Sequence, residues 1–163
     1  MKTKELNPNQ IITLNDYPVH SDTILLEYFE KCKRGEKLAL VPVIKKDIVK
    51  KYFNNKLLEE LEKFEKENPE AEYFMIDGSH RTTAMTLTDC KIPVIIYEED
   101  SYIVEAKGMV TKNQILESDT LNHNLIENCE ILEKHFTEKP YFMTVQEKTN
   151  KMVEEKILPQ DIF

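Results

Sequence analysis

Asp77-Gly78-Ser79-His80-Arg81-Thr82 sets an acid, a glycine, hydroxyls, an imidazole and a guanidinium side by side. The apolar run Phe74-Met75-Ile76 precedes it, and a helical pattern through Ala84 and Met85 follows. This order predicts a strand, a tight turn and a helix start. The unpaired N–H groups of a helix start, with the positive end of its dipole, favour an anion such as phosphate. Gly78 is one of three glycines in the chain. It lets the backbone turn sharply with no Cβ in the way of a ligand. Asp77 or Ser79 can cap the helix, and Ser79 can also bond a phosphate oxygen. His80 can donate a proton or act as general acid/base near neutral pH. Arg81 adds a fork able to hold phosphate oxygens bidentately. The same residues also read as an ordinary helix cap with a surface arginine.

A second group is His20-Ser21-Asp22, at the start of another predicted helix. Asp22 there could take a proton from a hydroxyl or help hold Mg²⁺. Its plainer role is an N-cap. His123 and His135 stand twelve residues apart with no acid or thiol at metal-ligand spacing. That separation does not place both on one helix face, so a bland surface or core role is expected. No metal site is assigned. Glu98-Glu99-Asp100 reads as a solvated strand end, or as a metal holder if it lies beside the turn. The Lys45-Lys46 and Lys50-Lys51 pairs read as helix-surface charge.

The elements around these groups follow from periodicity. Residues 1–10 read as a loose terminus, and Ile11 to Leu14 as a short strand. Thr23 to Lys33 forms a helix capped by Ser21 or Asp22 and closed by Arg34-Gly35. Leu38 to Ile44 is an apolar strand, whose Pro42 argues for an edge or a bulge. Asp47 to Tyr52 and Leu57 to Glu67 are helices, the second ended by Asn68-Pro69. Strands follow at Tyr73 to Ile76 and Ile92 to Tyr97, with a helix from Ser79 to about Leu87 between them. Tyr102 to Ala106 reads equally as strand or helix start. Leu116 to about Phe136 reads as a helix with room for breaks, and Val145 to Ile157 as a further helix.

The chain has 163 residues and a net charge of −8. That length bounds it to one domain, with or without a helical extension. Acidity disfavours generic DNA binding. Cys32, Cys90 and Cys129 form neither a disulfide ladder nor a metal knuckle, so buried free thiols in a reducing compartment are expected. No apolar run approaches membrane-spanning length, so a cytoplasmic protein with no membrane partner is expected.

Met75-Ile76-Asp77-Gly78-Ser79-His80-Arg81-Thr82-Thr83-Ala84, followed by Ile92-Pro93-Val94-Ile95-Ile96, resembles the ParB/sulfiredoxin superfamily. Leu40-Val41-Pro42-Val43-Ile44 resembles the Pro-Val strand that precedes this box. The resemblance covers about residues 72–97 and extends more weakly back to about residue 11. It implies an α/β (α+β) fold, a small mixed sheet with flanking helices, that binds nucleotide phosphates at the turn. Sulfiredoxins use that pocket to repair oxidised cysteine with ATP, ParB clamps to hydrolyse CTP, and ParB-like kinases to phosphorylate free serine.

Departures sort these options. Ser79 stands where sulfiredoxins carry the catalytic cysteine. Only some 60 residues follow the box, against the two further domains of ParB clamps. A segment of about residues 45–72 is inserted relative to the serine kinases, and Asp22 would replace their glutamate. The resemblance therefore implies a nucleotide-binding domain over 1–100, with a helical extension at 101–163 packed on it or dimerising. Asp77, Gly78, Ser79, His80, Arg81 and Thr82 would hold ATP, ADP or CTP, with Mg²⁺ possible. Asp22, His80 and Arg81 would be catalytic in a phosphotransferase or NTP hydrolase, with a small-molecule phosphate acceptor possible. The alternative is a non-catalytic, DNA-associated or regulatory protein of a phage or mobile element.

Overall fold

The computed structural model describes residues 2–19 and 21–162. His20 of the second candidate group, with Met1 and Phe163, lies outside the described residues. Five strands are present among the described residues: β1 (Lys2–Leu6), β2 (Ile11–Ile12), β3 (Val41–Lys45), β4 (Tyr73–Met75) and β5 (Ile92–Ile96). They form one mixed sheet in the order β1-β5-β3-β4-β2. β1 runs antiparallel to β5 and β3 antiparallel to β4, while β3 pairs β5, and β2 pairs β4, in parallel. The helices are α1 (Asp22–Lys33), α2 (Lys46–Val49), α3 (Asn55–Glu67), α4 (Ser79–Leu87), α5 (Asp100–Val110), α6 (Leu125–Glu138) and α7 (Val145–Glu154).

Successive strand residues point to opposite faces, and the two cores follow that alternation. Ile12, Ile44, Phe74 and Ile95 pack with Leu57, Leu61 and Phe64 of α3, Ile103 and Ala106 of α5, and Leu132 and Phe136 of α6. Ile11, Val43, Met75, Val94 and Ile96 pack on the other face with Leu25 and Phe29 of α1, Ala84 and Met85 of α4, and Val145 and Met152 of α7. Covering both faces is why β3, β4 and β5 read as continuous apolar runs rather than alternating ones. Residues beyond 100 contribute to both cores, and Thr144 bridges to Ile12.

Several elements differ from the sequence expectation. The loose terminus is β1, an edge strand whose Lys2 to Glu5 are exposed and only Leu6 buried, so it carries no apolar signal. The strand expected over Ile11 to Leu14 is two residues long. Pro42 sits in the central strand, not at an edge. Its carbonyl accepts from Ile76 N–H at 3.1 Å, just past the end of β4. The missing donor therefore falls where the β3–β4 ladder already ends, and costs little. Tyr102 to Ala106 is helical. The helix expected from Leu116 starts only at Leu125, where Asn124 accepts from Glu127 N–H at 2.8 Å and Glu127 reaches back to Asn124 N–H at 3.0 Å. The acidic triplet is used structurally: Glu98 pairs with Lys2 at 3.0 Å and Asp100 accepts from Leu125 N–H at 2.8 Å. Lys46 and Lys50 both pair with Glu65, at 2.9 and 2.8 Å.

A polar seam joins the two C-terminal helices to the loop after β2. Lys148, 1% exposed, reaches Asp16 at 2.5 Å, and His135 Nε2 accepts from Asn15 N–H at 2.8 Å. Burial lowers the pKa of His135; Asp16 opposes this and Lys139 adds to it. The folded state therefore holds its proton less tightly than the unfolded chain, whose imidazole titrates near about pH 6.5. Stability from the neutral ring is fully present above that pH and is lost as pH falls below it through the lower folded-state pKa. Urea midpoints should fall between about pH 7.5 and pH 5.5, and fall less in His135→Gln. Equal pH dependence in both proteins would contradict this.

Candidate functional site

The turn after β4 is built by three local requirements. Ile76 N–H closes on Pro42, Asp77 leaves the sheet, and Gly78 takes φ +103° before α4 begins. A Cβ on Gly78 would lie 3.2 Å from Arg81 Nη2 and 3.4 Å from both Val41 methyls. Glycine is needed here for the backbone angle and for the arginine that folds across it. Thr82 N–H then donates to Gly78 O at 2.9 Å, the first helical bond.

Gly78 is the N-cap residue, and no side-chain cap of α4 is present among the described residues. The expected caps, Asp77 and Ser79, do not take that role. Asp77 instead accepts from Arg81 Nη2 at 3.3 Å. The first turn of α4 thus takes no cap from the Asp77 or Ser79 side chain.

Arg81 does not lie on the surface. It is 3% exposed, and its Nη1 donates to Ala39 O at 3.0 Å and Leu40 O at 2.9 Å. Burial pulls its pKa below the ordinary value, and the Asp77 carboxylate opposes that pull. The guanidinium brackets the turn to the segment entering β3, so its charge lies behind the helix start. Thr82 is 1% exposed, and its hydroxyl donates to Gly78 O at 3.0 Å and Ser79 O at 3.1 Å. Both side chains are committed inward. Ser79 is 8% exposed as well, which leaves Asp77, Gly78 and His80 as the half-buried residues of the candidate site.

His80 joins the two candidate groups. Its Nε2 accepts from Ser21 N–H at 3.2 Å. That bond requires a neutral nitrogen at Nε2 and so assigns the ring proton to Nδ1 in the neutral form. Ser21 caps α1, its Oγ accepting from Ile24 N–H at 3.2 Å, and Asp22 follows, exposed, in the first turn. The N-terminal ends of α1 and α4 therefore meet through one hydrogen bond. Spacing alone gave no sign that the two segments touch, whereas the resemblance set Asp22, His80 and Arg81 in one site.

One cavity, about 620 Å³, is lined by Cys32, Cys90 and the segment Gly35 to Leu40, and by none of residues 77–82. A second, about 300 Å³, is lined by Ile76, immediately before Asp77, and by both His123 and His135. Sequence spacing kept these two histidines apart because twelve residues do not return to one helix face. The break before Leu125 brings them to one cleft. Tyr97 is fully buried, and its hydroxyl has no hydrogen-bond partner among the described residues. Burial pushes its pKa up to about 12; the Thr120 side chain, Asp77 and Arg81 all lie within its electrostatic reach. Cys32 and Cys129 are buried thiols, and Cys90 is half-buried.

No helix among the described residues is long and apolar enough to cross a membrane. No family model matches the chain, and no curated protein or solved structure matches it.

Proposed function

We propose that this chain is a nucleotide-binding protein of ParB/sulfiredoxin type, a phosphotransferase or NTP hydrolase acting in the cytoplasm. The observation that carries this reading is the meeting of two helix starts, with no side-chain cap on α4 among the described residues. The positive dipole ends of two neighbouring helix starts favour a di- or triphosphate over a neutral ligand.

The roles divide as follows. The backbone at Gly78, Ser79 and His80 binds the phosphates. Arg81 sets the positive potential from behind and fixes the turn, rather than gripping an oxygen directly. Asp22, in the first turn of α1, acts as base or as one ligand of Mg²⁺. Mg²⁺ keeps several waters and takes one or two carboxylates plus substrate phosphates, so a lone aspartate suits a metal arriving with the nucleotide. His80 orients the two helix starts and can pass a proton through its ring.

A thermal-shift screen with ATP, ADP, CTP and GTP plus Mg²⁺ tests this. A ligand at a hundredfold its Kd adds about 2.7 kcal/mol of stability, or about 5–10 °C for a chain of this size. Ser79→Asp places a carboxylate where phosphate would bind while still suiting a helix start. Ser79 is 8% exposed, so the melting temperature of this variant is first read without nucleotide; against that baseline it should lose the nucleotide shift. No shift with any of the four nucleotides would overturn the reading.

A further inference from the structure

The cleft between α6 and the end of β4 has a defined chemical character. No lysine or arginine lines it. Its charged group is the Asp119 carboxylate, exposed at the rim in the short turn Asp119–Asn122. Asn128 is 2% exposed, and its Nδ2 is spent on the carbonyls of Thr120 at 3.1 Å, Asn124 at 3.1 Å and His123 at 3.5 Å. Its Oδ1 therefore takes no hydrogen bond from the described residues and is left as an acceptor. His135 adds no positive charge at neutral pH, because burial and the Asn15 N–H bond both favour its neutral ring. Ile76 and Leu132 supply an apolar floor. A small cavity with apolar walls and a few convergent polar groups is the usual form of a small-molecule site.

We propose that this cleft binds a compact organic amine, its ammonium held by Asp119 and the Asn128 oxygen and its apolar body lying on Ile76 and Leu132. A carboxylate and an unpaired amide oxygen over an apolar floor complement a cation with a hydrocarbon tail, and repel an anion. The site stands independently of the nucleotide reading, but it adjoins the turn. Ile76 precedes Asp77 directly, and Thr120 lies beside the unpartnered Tyr97 hydroxyl, which in turn lies near Asp77 and Arg81.

The test is a protein-observed NMR titration with phenethylamine and 3-phenylpropionate, which present opposite charges on similar skeletons. Phenethylamine should saturably shift the Thr120, Asn128, His123 and His135 signals and bind at least about tenfold more tightly than the acid. Asp119→Asn alters an exposed side chain and should leave the fold intact. It should weaken amine binding by about twofold to fivefold, the worth of an exposed ion pair. Equal affinity for the acid, no saturable shift at these residues, or unchanged amine affinity in Asp119→Asn would each overturn the proposal.

Discussion

Replacing Arg81 by alanine should lower the unfolding free energy by about 3–5 kcal/mol, the usual cost of breaking a buried charge network. The guanidinium is 3% exposed and ties together Ala39, Leu40 and Asp77. Its removal leaves two carbonyls near the entry to the central strand without their donor, and an acid at the turn without its counter-charge. Arg81→Lys should recover little of the loss. An ammonium is a point charge and cannot reproduce the planar fork that reaches both carbonyls and the carboxylate. Urea unfolding followed by far-UV circular dichroism measures this directly. A loss below about 1 kcal/mol would place Arg81 among ordinary surface arginines. The same result bears on function. Weaker nucleotide binding by Arg81→Ala would reflect a collapsed turn as readily as a lost phosphate contact, so that variant is a poor probe of phosphate binding.

Gly78→Ala should cost about 2 kcal/mol, combining the strain of a side chain at positive φ with the close approach of Arg81 Nη2. The Cβ would meet that nitrogen at 3.2 Å, so the alanine also loosens the Arg81 bracket. Gly35 is the internal control. It too has positive φ, +78°, but a Cβ there meets nothing within 4 Å. Gly35→Ala should therefore cost about 1 kcal/mol, from backbone strain alone. Melting temperatures of the two variants, measured side by side, separate strain from crowding. Equal losses would mean that the Arg81 contact across Gly78 carries no energy.

Much of the sheet was legible because both of its faces are covered. Val41 to Ile44, Tyr73 to Met75 and Ile92 to Ile96 are apolar at nearly every position, which marks a buried strand whatever its neighbours. β1 was not legible, since an exposed edge strand of Lys, Thr, Lys and Glu satisfies its backbone against β5 without burying side chains. Pro42 misled because the rule against proline in central strands assumes a continuous ladder, and here the ladder ends at that residue. The turn itself was legible in residue type but not in orientation. Asp77 and Arg81 stand at i, i+4, a spacing that permits their pairing. Nothing local, however, tells that the guanidinium continues to carbonyls some 40 residues earlier in the chain. Thr82 shows the same limit, since its hydroxyl serves the helix rather than a ligand. The juncture of His80 with Ser21, and of His123 with His135 in one cleft, depends on chain packing that spacing alone does not encode.

The account turns on the backbone of Gly78 to His80 as the place where phosphate is held, and an amide-resolved NMR titration with Mg·ATP, Mg·ADP and Mg·CTP tests that most directly. The amides of Ser79 and His80 should show the largest saturable shifts with at least one nucleotide, accompanied by Ser21 and Asp22 at the adjoining helix start. Shifts confined to other parts of the chain, or none at millimolar nucleotide, would contradict the assignment.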